Sequence, residues 1–198
     1  MEIRGERVWL RPLTRADVDR MEKWGKFAEP ELQWANFDPR SEAEKDIWFA
    51  SGRDNHIRRR FAVVTHDNRV IGTLGLRNIS RALGEGTLGI RMSASEVGKG
   101  YGTDAITALL RIAFGEMSLH QIKLDVAEGN RRAHRCYEKV GFRQVGQHIG
   151  LDGYTYIDME ITRREFFARH GRPAVNEAGG SGKPGGGQGR PPVQSGPR

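Results

Sequence analysis

The spacing of apolar positions changes several times along the chain. In "ERVWLRPL", Val8 and Leu10 alternate with Arg7, Trp9 and Arg11, which predicts a strand. Thr14 stands as an N-cap before a helix running to about Phe27, with Asp17 near its positive end. Pro30 and Pro39 bound an irregular stretch that holds Trp34 and Phe37. Ser41 and Glu44, in "SEAE", form a capping box for a second helix reaching Ala50.

The period then drops to two. "RRRFAVVTH" and "VIGTLGLRNI" read as a hairpin across the turn "HDNR", and "GTLGIRM" as a third strand. An amphipathic helix covers "TDAITALLRIAFGEM", and "QIKLDVA" is a strand. Asn130 precedes a short helix, "RRAHRCYEKV", which Gly141 closes. "FRQVGQHI" and "YTYIDMEI" are two final strands around "LDG". Strands and helices are interleaved without a repeat or an internal boundary, and no proline falls between Pro39 and Pro173. This order predicts one mixed α/β layer domain over residues 1–168.

Composition changes the picture at one end. Residues 171–198 hold 9 of the 26 glycines and 5 of the 8 prolines, with no aromatic residue. Such a segment buries too little apolar area to offset its ordering entropy, so a disordered tail is expected. It also carries +3 of the +7 net charge. The remaining excess is mild, compatible with an anionic small ligand, an RNA-rich neighbour or plain solubility. The single cysteine, Cys136, rules out an intramolecular disulfide. No run approaches the roughly 18 apolar residues of a membrane span, and no signal-type segment is present, so a cytoplasmic protein without a membrane partner is expected.

Candidate chemistry begins at "SEVGKGYGTDA", where Gly98, Gly100 and Gly102 lead straight into a helix. A glycine-bearing helix start offers free N–H groups and the positive end of the helix dipole to an anion. The spacing is neither that of the Walker A loop nor the G-x-G-x-x-G of dinucleotide-binding folds. Alone it is also compatible with a plain glycine-rich turn. About thirty residues later, "NRRAHRCYEKVGF" places Ala133, Cys136 and Tyr137 on one side of a helix, which by itself equally suits a buried tyrosine.

Together, "VGKGYGT" and "NRRAHRCYEKVGF" resemble the acetyl-CoA pyrophosphate loop and the N-x-x-A…Y-E-K-x-G-F motif of the GCN5-related N-acetyltransferase (GNAT) superfamily. The resemblance covers roughly residues 6–165. It implies a mixed, mostly antiparallel sheet of six or seven strands, helices on both faces, and strands splayed at the acetyl-CoA site. It also implies direct transfer of acetyl from acetyl-CoA to a primary amine in a ternary complex, with no metal.

The resemblance assigns the pyrophosphate to the backbone of Val97, Gly98, Lys99, Gly100, Tyr101, Gly102 and Thr103. Arg91, Met92 and their strand edge would pair with the pantetheine arm, which Asn130 orients beside Ala133. An N–H near Met92 would stabilise the oxyanion, and Tyr137 would protonate the leaving thiolate. Cys136 reads as a small core residue.

Two positions depart from the family pattern. Val97 stands where the loop often begins with Gln or Arg, and Thr87 where many relatives carry a glutamate. Glu85, Asp125 and Glu128 could hold a water as base, or be solvated loop charges. At pH 7 an α-amino group is roughly a tenth neutral, whereas a lysine amine is under a thousandth neutral. A chain lacking a strong base therefore suits the first better.

Within the superfamily, "RVWLRPLTRADVD" and "GFRQVGQHIGLDGYTYIDMEI" most resemble the branch that acetylates ribosomal-protein N-termini, so the acceptor reads as a protein N-terminal amine. The alternative is a small-molecule amine, an aminoglycoside or a polyamine. That would need an acidic pocket, for which Glu29, Glu31, Asp38, Glu42, Glu44 and Asp46 are candidates. Trp24, Trp34, Phe37 and Trp48 could line a pocket or fill the core. From another class, "HIRRR" could mark a non-catalytic RNA-binding or acetyl-CoA-binding module, although an arginine run at a strand entry more often is a solvated edge. A monomer or homodimer is expected.

Overall fold

A computed structural model describes residues 2–39, 41–52 and 54–172, so the glycine- and proline-rich segment from Pro173 onward lies outside the described residues. The elements run β1 (Ile3–Arg4), β2 (Val8–Pro12), α1 (Arg15–Met21), α2 (Glu42–Ser51), β3 (Arg59–Thr65), β4 (Val70–Ser80), β5 (Glu85–Met92), α3 (Tyr101–Gly115), β6 (Gln121–Ala127), α4 (Arg131–Val140), β7 (Arg143–Ile149), β8 (Thr155–Thr162) and α5 (Arg163–His170). Short 3-10 turns occupy Pro30–Ala35 and Ala94–Glu96.

All eight strands described join one sheet in the order β1-β2-β3-β4-β5-β6-β8-β7. Every neighbouring pair is antiparallel except β5 and β6. The sheet thus has one strand more than the six or seven expected. The extra one, β1, pairs only Ile3 with Leu10 and Arg4 with Trp9, too short to leave an alternating pattern.

Alternation along β3 shows how the layers form. Phe61 and Val63 enter the main core, while Ala62 and Val64 face the opposite side. The main core lies under α3, whose Ile106, Leu109, Leu110, Ala113 and Phe114 are almost fully buried. Each large apolar side chain there contributes roughly 1.5–3 kcal/mol by leaving water. Phe166 of α5 completes that side, its ring 5.5 Å from Phe114. On the other face, Val18 and Met21 of α1 cluster with Phe37, Trp24 and Trp48. Phe37 is therefore core, Trp24 packs half-buried against it, and Trp48 both packs there and borders an open hollow; the Trp34 side chain lies outside the described ones.

The first helix stops at Met21 rather than Phe27. Trp24 turns under the sheet, its Nε1 donating to the Val70 carbonyl at 2.9 Å, and the Gly25 N–H donates to Ser93 Oγ at 3.1 Å. Continuing the helix would break both. Two acidic residues of this region, Glu42 and Asp46, are held in ion pairs between α1 and α2. Arg15 meets Asp19, Glu42 and Asp46, and Lys45 meets Asp19, Glu22 and Glu42. Asp38 pairs with Lys26.

Candidate active site

β5 and β6 run side by side only at their start. Their register covers Glu85–Gln121, Gly86–Ile122 and Thr87–Lys123, yet β5 continues to Met92 and β6 to Ala127. Beyond Thr87 the two strands part, giving the splay that the resemblance implied. A cleft of about 460 Å³ opens there, walled by Ile90, Arg91 and Met92 on one side and by Asp125, Val126 and Asn130 on the other.

The free edge of β5 follows from sheet geometry. Ser93 donates its N–H to Ile71 across the β4–β5 ladder at 2.9 Å. Backbone groups alternate in direction along a strand, so Arg91 also turns its backbone toward β4, whereas Ile90 and Met92 turn theirs toward the gap. The backbone edge open to a ligand is thus that of Ile90 and Met92. Arg91 instead sends its side chain to the opposite face of the sheet, where its guanidinium lies 5.9 Å from the Trp48 ring.

At the mouth of the splay stands the N-terminus of α3. Gly98 and Gly100 have φ of +77° and +84°, a left-handed conformation that side chains resist. A Cβ on Gly98 would meet nothing within 4 Å, so the loop leaves open space above its backbone. Val97, Gly98, Gly100, Gly102 and Thr103 line the cleft. Lys99 and Tyr101 do not: the Lys99 ammonium bonds Glu96 at 3.0 Å, and Tyr101 packs on the core. The amides of the first helical turn have no intrahelical acceptor and lie at the positive end of the dipole, which fits a pyrophosphate.

This turn is tied down from behind. The Asp104 carboxylate accepts the N–H groups of Glu6, Arg7 and Val8 at 2.8–3.0 Å, and Arg7 donates to the Lys99 carbonyl at 3.1 Å. Gly5 is required here, because any Cβ would collide with the Asp104 carboxylate that these amides hold in place.

α4 forms the other wall. Asn130 caps it, accepting the Ala133 N–H at 3.1 Å through Oδ1. Asn130 and Ala133 both line the cleft. Tyr137 lines it too and is otherwise buried, its ring meeting Phe142 edge-on at 5.8 Å. Burial, with Cys136 and Asp125 nearby, pushes the Tyr137 hydroxyl well above the usual tyrosine range. Burial likewise raises the Cys136 thiol, against a weaker opposing pull from Thr103.

Of the three carboxylates considered as bases, Asp125 lines the cleft, and it pairs with Arg77 at 3.3 Å. Glu85 is engaged by Lys123 at 2.8 Å. Arg132, Arg135 and Lys139 also line the cleft and were missed from the sequence. Their i, i+3, i+7 spacing, one stripe of α4, was the available signal. Among the described residues, no three or more His, Cys, Asp or Glu side chains group to hold a metal ion, and no helix is long and apolar enough to cross a membrane.

A family model for an acetyltransferase (GNAT) domain matches residues 7–143. The chain is 36% identical over 92 residues to a kanamycin resistance protein from Rhizobium radiobacter, a match spanning 46% of this chain and 77% of that protein. It is 39% identical over 74 residues to an aminoglycoside N(6')-acetyltransferase type 1 from Klebsiella pneumoniae, but there spans 37% of this chain and only 36% of that protein.

Among solved structures, a spermidine N-acetyltransferase SpeG chimera from Vibrio cholerae and hSSAT superposes with TM-score 0.71 at 25% identity, covering 83% of this chain and all of that one. RimJ of Mycobacterium smegmatis, solved with CoA-disulfide, shares the fold with TM-score 0.67 at 20% identity, over 87% and 95% of the two chains. The chain belongs to the GNAT acetyltransferase family and is an acetyl-CoA-dependent N-acetyltransferase.

Proposed function

We propose, with membership of the GNAT family as premise, that this chain joins an acetyl group to a primary amine inside the β5–β6 splay, in one ternary complex. The observation that carries the reading is the coincidence, in one cleft, of the parted strands, the glycine-headed N-terminus of α3 and the Tyr137 hydroxyl. Acetyl-CoA supplies the activated thioester. The amides of Val97, Gly98, Gly100, Gly102 and Thr103 hold its pyrophosphate, with Arg132, Arg135 and Lys139 adding positive charge. The outward edge of Ile90 and Met92 pairs with the pantetheine arm as an added strand does, and Asn130 orients that arm.

The neutral amine attacks the thioester carbon. The Met92 N–H, turned into the gap, receives the charge on the carbonyl oxygen, an interaction often worth a few kcal/mol. Tyr137 gives its proton to the departing sulfur, so that free thiol leaves. Its raised pKa keeps that proton available at neutral pH. The amine's own proton leaves through water near Asp125, because Thr87 occupies the position of the usual glutamate. The acceptor is a protein N-terminal amine, which needs little help to lose its proton. A small-molecule amine is the second reading, favoured by the kanamycin resistance relative.

Residues 1–168 would form the catalytic domain, with the segment from 171 onward as an appended tail. Calorimetry with acetyl-CoA, followed by thiol release with N-terminal peptides, spermidine and an aminoglycoside, tests the assignment. Micromolar binding with turnover of one amine class is expected. Absence of acetyl-CoA binding overturns it.

A further inference from the structure

A second hollow, also of about 460 Å³, lies across β5 from the cleft, on the face covered by α1 and α2. Ile90 and Arg91 border both spaces. One turns into the main core and the other toward Trp48 of α2, so β5 is the partition between them. Gly75 and Gly89 stand directly opposite each other across β4 and β5; the Arg59 carbonyl crowds Gly75, whereas a Cβ on Gly89 would meet nothing within 4 Å, so the open floor is at Gly89. An extended group could therefore lie flat on the sheet beside the splay.

The lining has one sign of charge. Arg58, Arg59, Arg60, Arg77 and Arg91 border the hollow, and no Asp or Glu does. Arg60 lies 4.4 Å over the Trp48 ring, on the same indole that Arg91 approaches. Arg77 has a partner in Asp125. Arg58, Arg59 and Arg60 donate to the carbonyls of Ser51, Asn55 and Trp48, and form no ion pair among the described residues. Burial disfavours the charge on Arg60, and Arg58 and Arg91 add repulsion. Massed guanidinium groups around an open, half-desolvated space gain most from a carboxylate, which they grip through paired N–H bonds. Two of the acidic residues that could have welcomed a polycation, Glu42 and Asp46, are instead held by Arg15 and Lys45 between α1 and α2.

We infer that this arginine-lined hollow is the acceptor subsite and that it selects amines borne by carboxylate-rich molecules, an acidic N-terminal peptide rather than a polyamine or aminoglycoside. The inference rests on the acetyltransferase reading and names its substrate class.

The test compares kcat/KM for the peptide amides Ala-Asp-Glu-NH2 and Ala-Asn-Gln-NH2, with spermidine and kanamycin alongside and acetyl-CoA affinity measured separately by calorimetry. The acidic peptide is expected to lead its neutral twin by tenfold or more at low salt, and the ratio to shrink in 0.5 M salt. Arg60→Gln should bring the ratio below about threefold while acetyl-CoA affinity stays within twofold. Arg58→Gln, at the same hollow, serves if the first variant fails to fold. Equal or better use of the neutral peptide, spermidine or kanamycin by a protein that binds acetyl-CoA would overturn the acceptor class and leave the acetyltransferase reading standing. Loss of acetyl-CoA binding in the unaltered protein would overturn both.

Discussion

Thr103 Oγ1 stands 3.3 Å from Cys136 Sγ, a contact that ties the glycine-headed start of α3 to the middle of α4. Two motifs some thirty residues apart thereby become two walls of one cleft. The contact also decides what Cys136 does. A catalytic thiol needs a lowered pKa and an adjacent base, whereas burial raises this one. Cys136→Ala should keep kcat within about threefold, and the native thiol should resist iodoacetamide at pH 7.5. A hundredfold fall in kcat, with an acetylated cysteine detected by mass spectrometry, would instead place the acetyl group on the protein.

Tyr137 is the residue whose loss should touch the chemical step alone. Tyr137→Phe keeps the ring against Phe142 and removes only the proton donor. A 10- to 100-fold fall in kcat is expected, with the KM for acetyl-CoA within twofold. The pH profile carries a second signature. Because burial raises the Tyr137 pKa above the usual value near 10, the hydroxyl stays protonated throughout the range below it. The rate should climb as the acceptor amine deprotonates and then hold level to pH 10. A falling limb between pH 8 and 9 would assign the acid to another group.

Gly100 tests the anion site. Its φ of +84° places it where a side chain costs about 1–2 kcal/mol, more for a β-branched one. Gly100→Val should either distort the loop or push the helix start away from the pyrophosphate, and raise the KM for acetyl-CoA by tenfold or more. Gly115, at the far end of the same helix, has open space around its Cβ position. Gly115→Ala is the control and should leave that KM unchanged.

The parts of the molecule legible in the sequence are those whose signals are local. The period-two runs of β3 and β4, the helical period of α3 and the cap pair Asn130 and Gly141 each fix an element from neighbouring residues. The glycine loop and Tyr137 were legible as a pair through a family resemblance, and the structure lines one cleft with both.

What stayed hidden depends on distant partners. β1 exists only because Ile3 finds Leu10, and α1 ends early because Trp24 finds Val70. α5 was overlooked although Thr162 and Glu165 form a capping box, with Glu165 Oε2 accepting the Thr162 N–H at 2.8 Å. Within the acidic run from Glu29 to Asp46, which suggested a pocket for cations, the folded chain matches Glu42 and Asp46 with Arg15 and Lys45, and Asp38 with Lys26. Charge along a sequence says little about which surface it will serve.

Asp17 illustrates that last point and yields a stability prediction. Its carboxylate is wholly buried and accepts hydrogen bonds from Arg11, Arg20 and both the N–H and hydroxyl of Thr14. Burial alone would favour the neutral acid, but these donors, Arg11 foremost, outweigh it and hold the pKa to about 2. In the unfolded chain the group titrates near 3.9. The folded value is the lower one, so its contribution, about 2 kcal/mol, is fully present above the unfolded value and disappears as the pH falls from about 5 toward 2. Asp17→Asn leaves Arg11 without its buried partner and should cost roughly 3 kcal/mol at pH 7. Its melting temperature should also fall less steeply between pH 5 and pH 2 than that of the native chain. Parallel slopes in thermal melts across that interval would show that another carboxylate governs the acid transition.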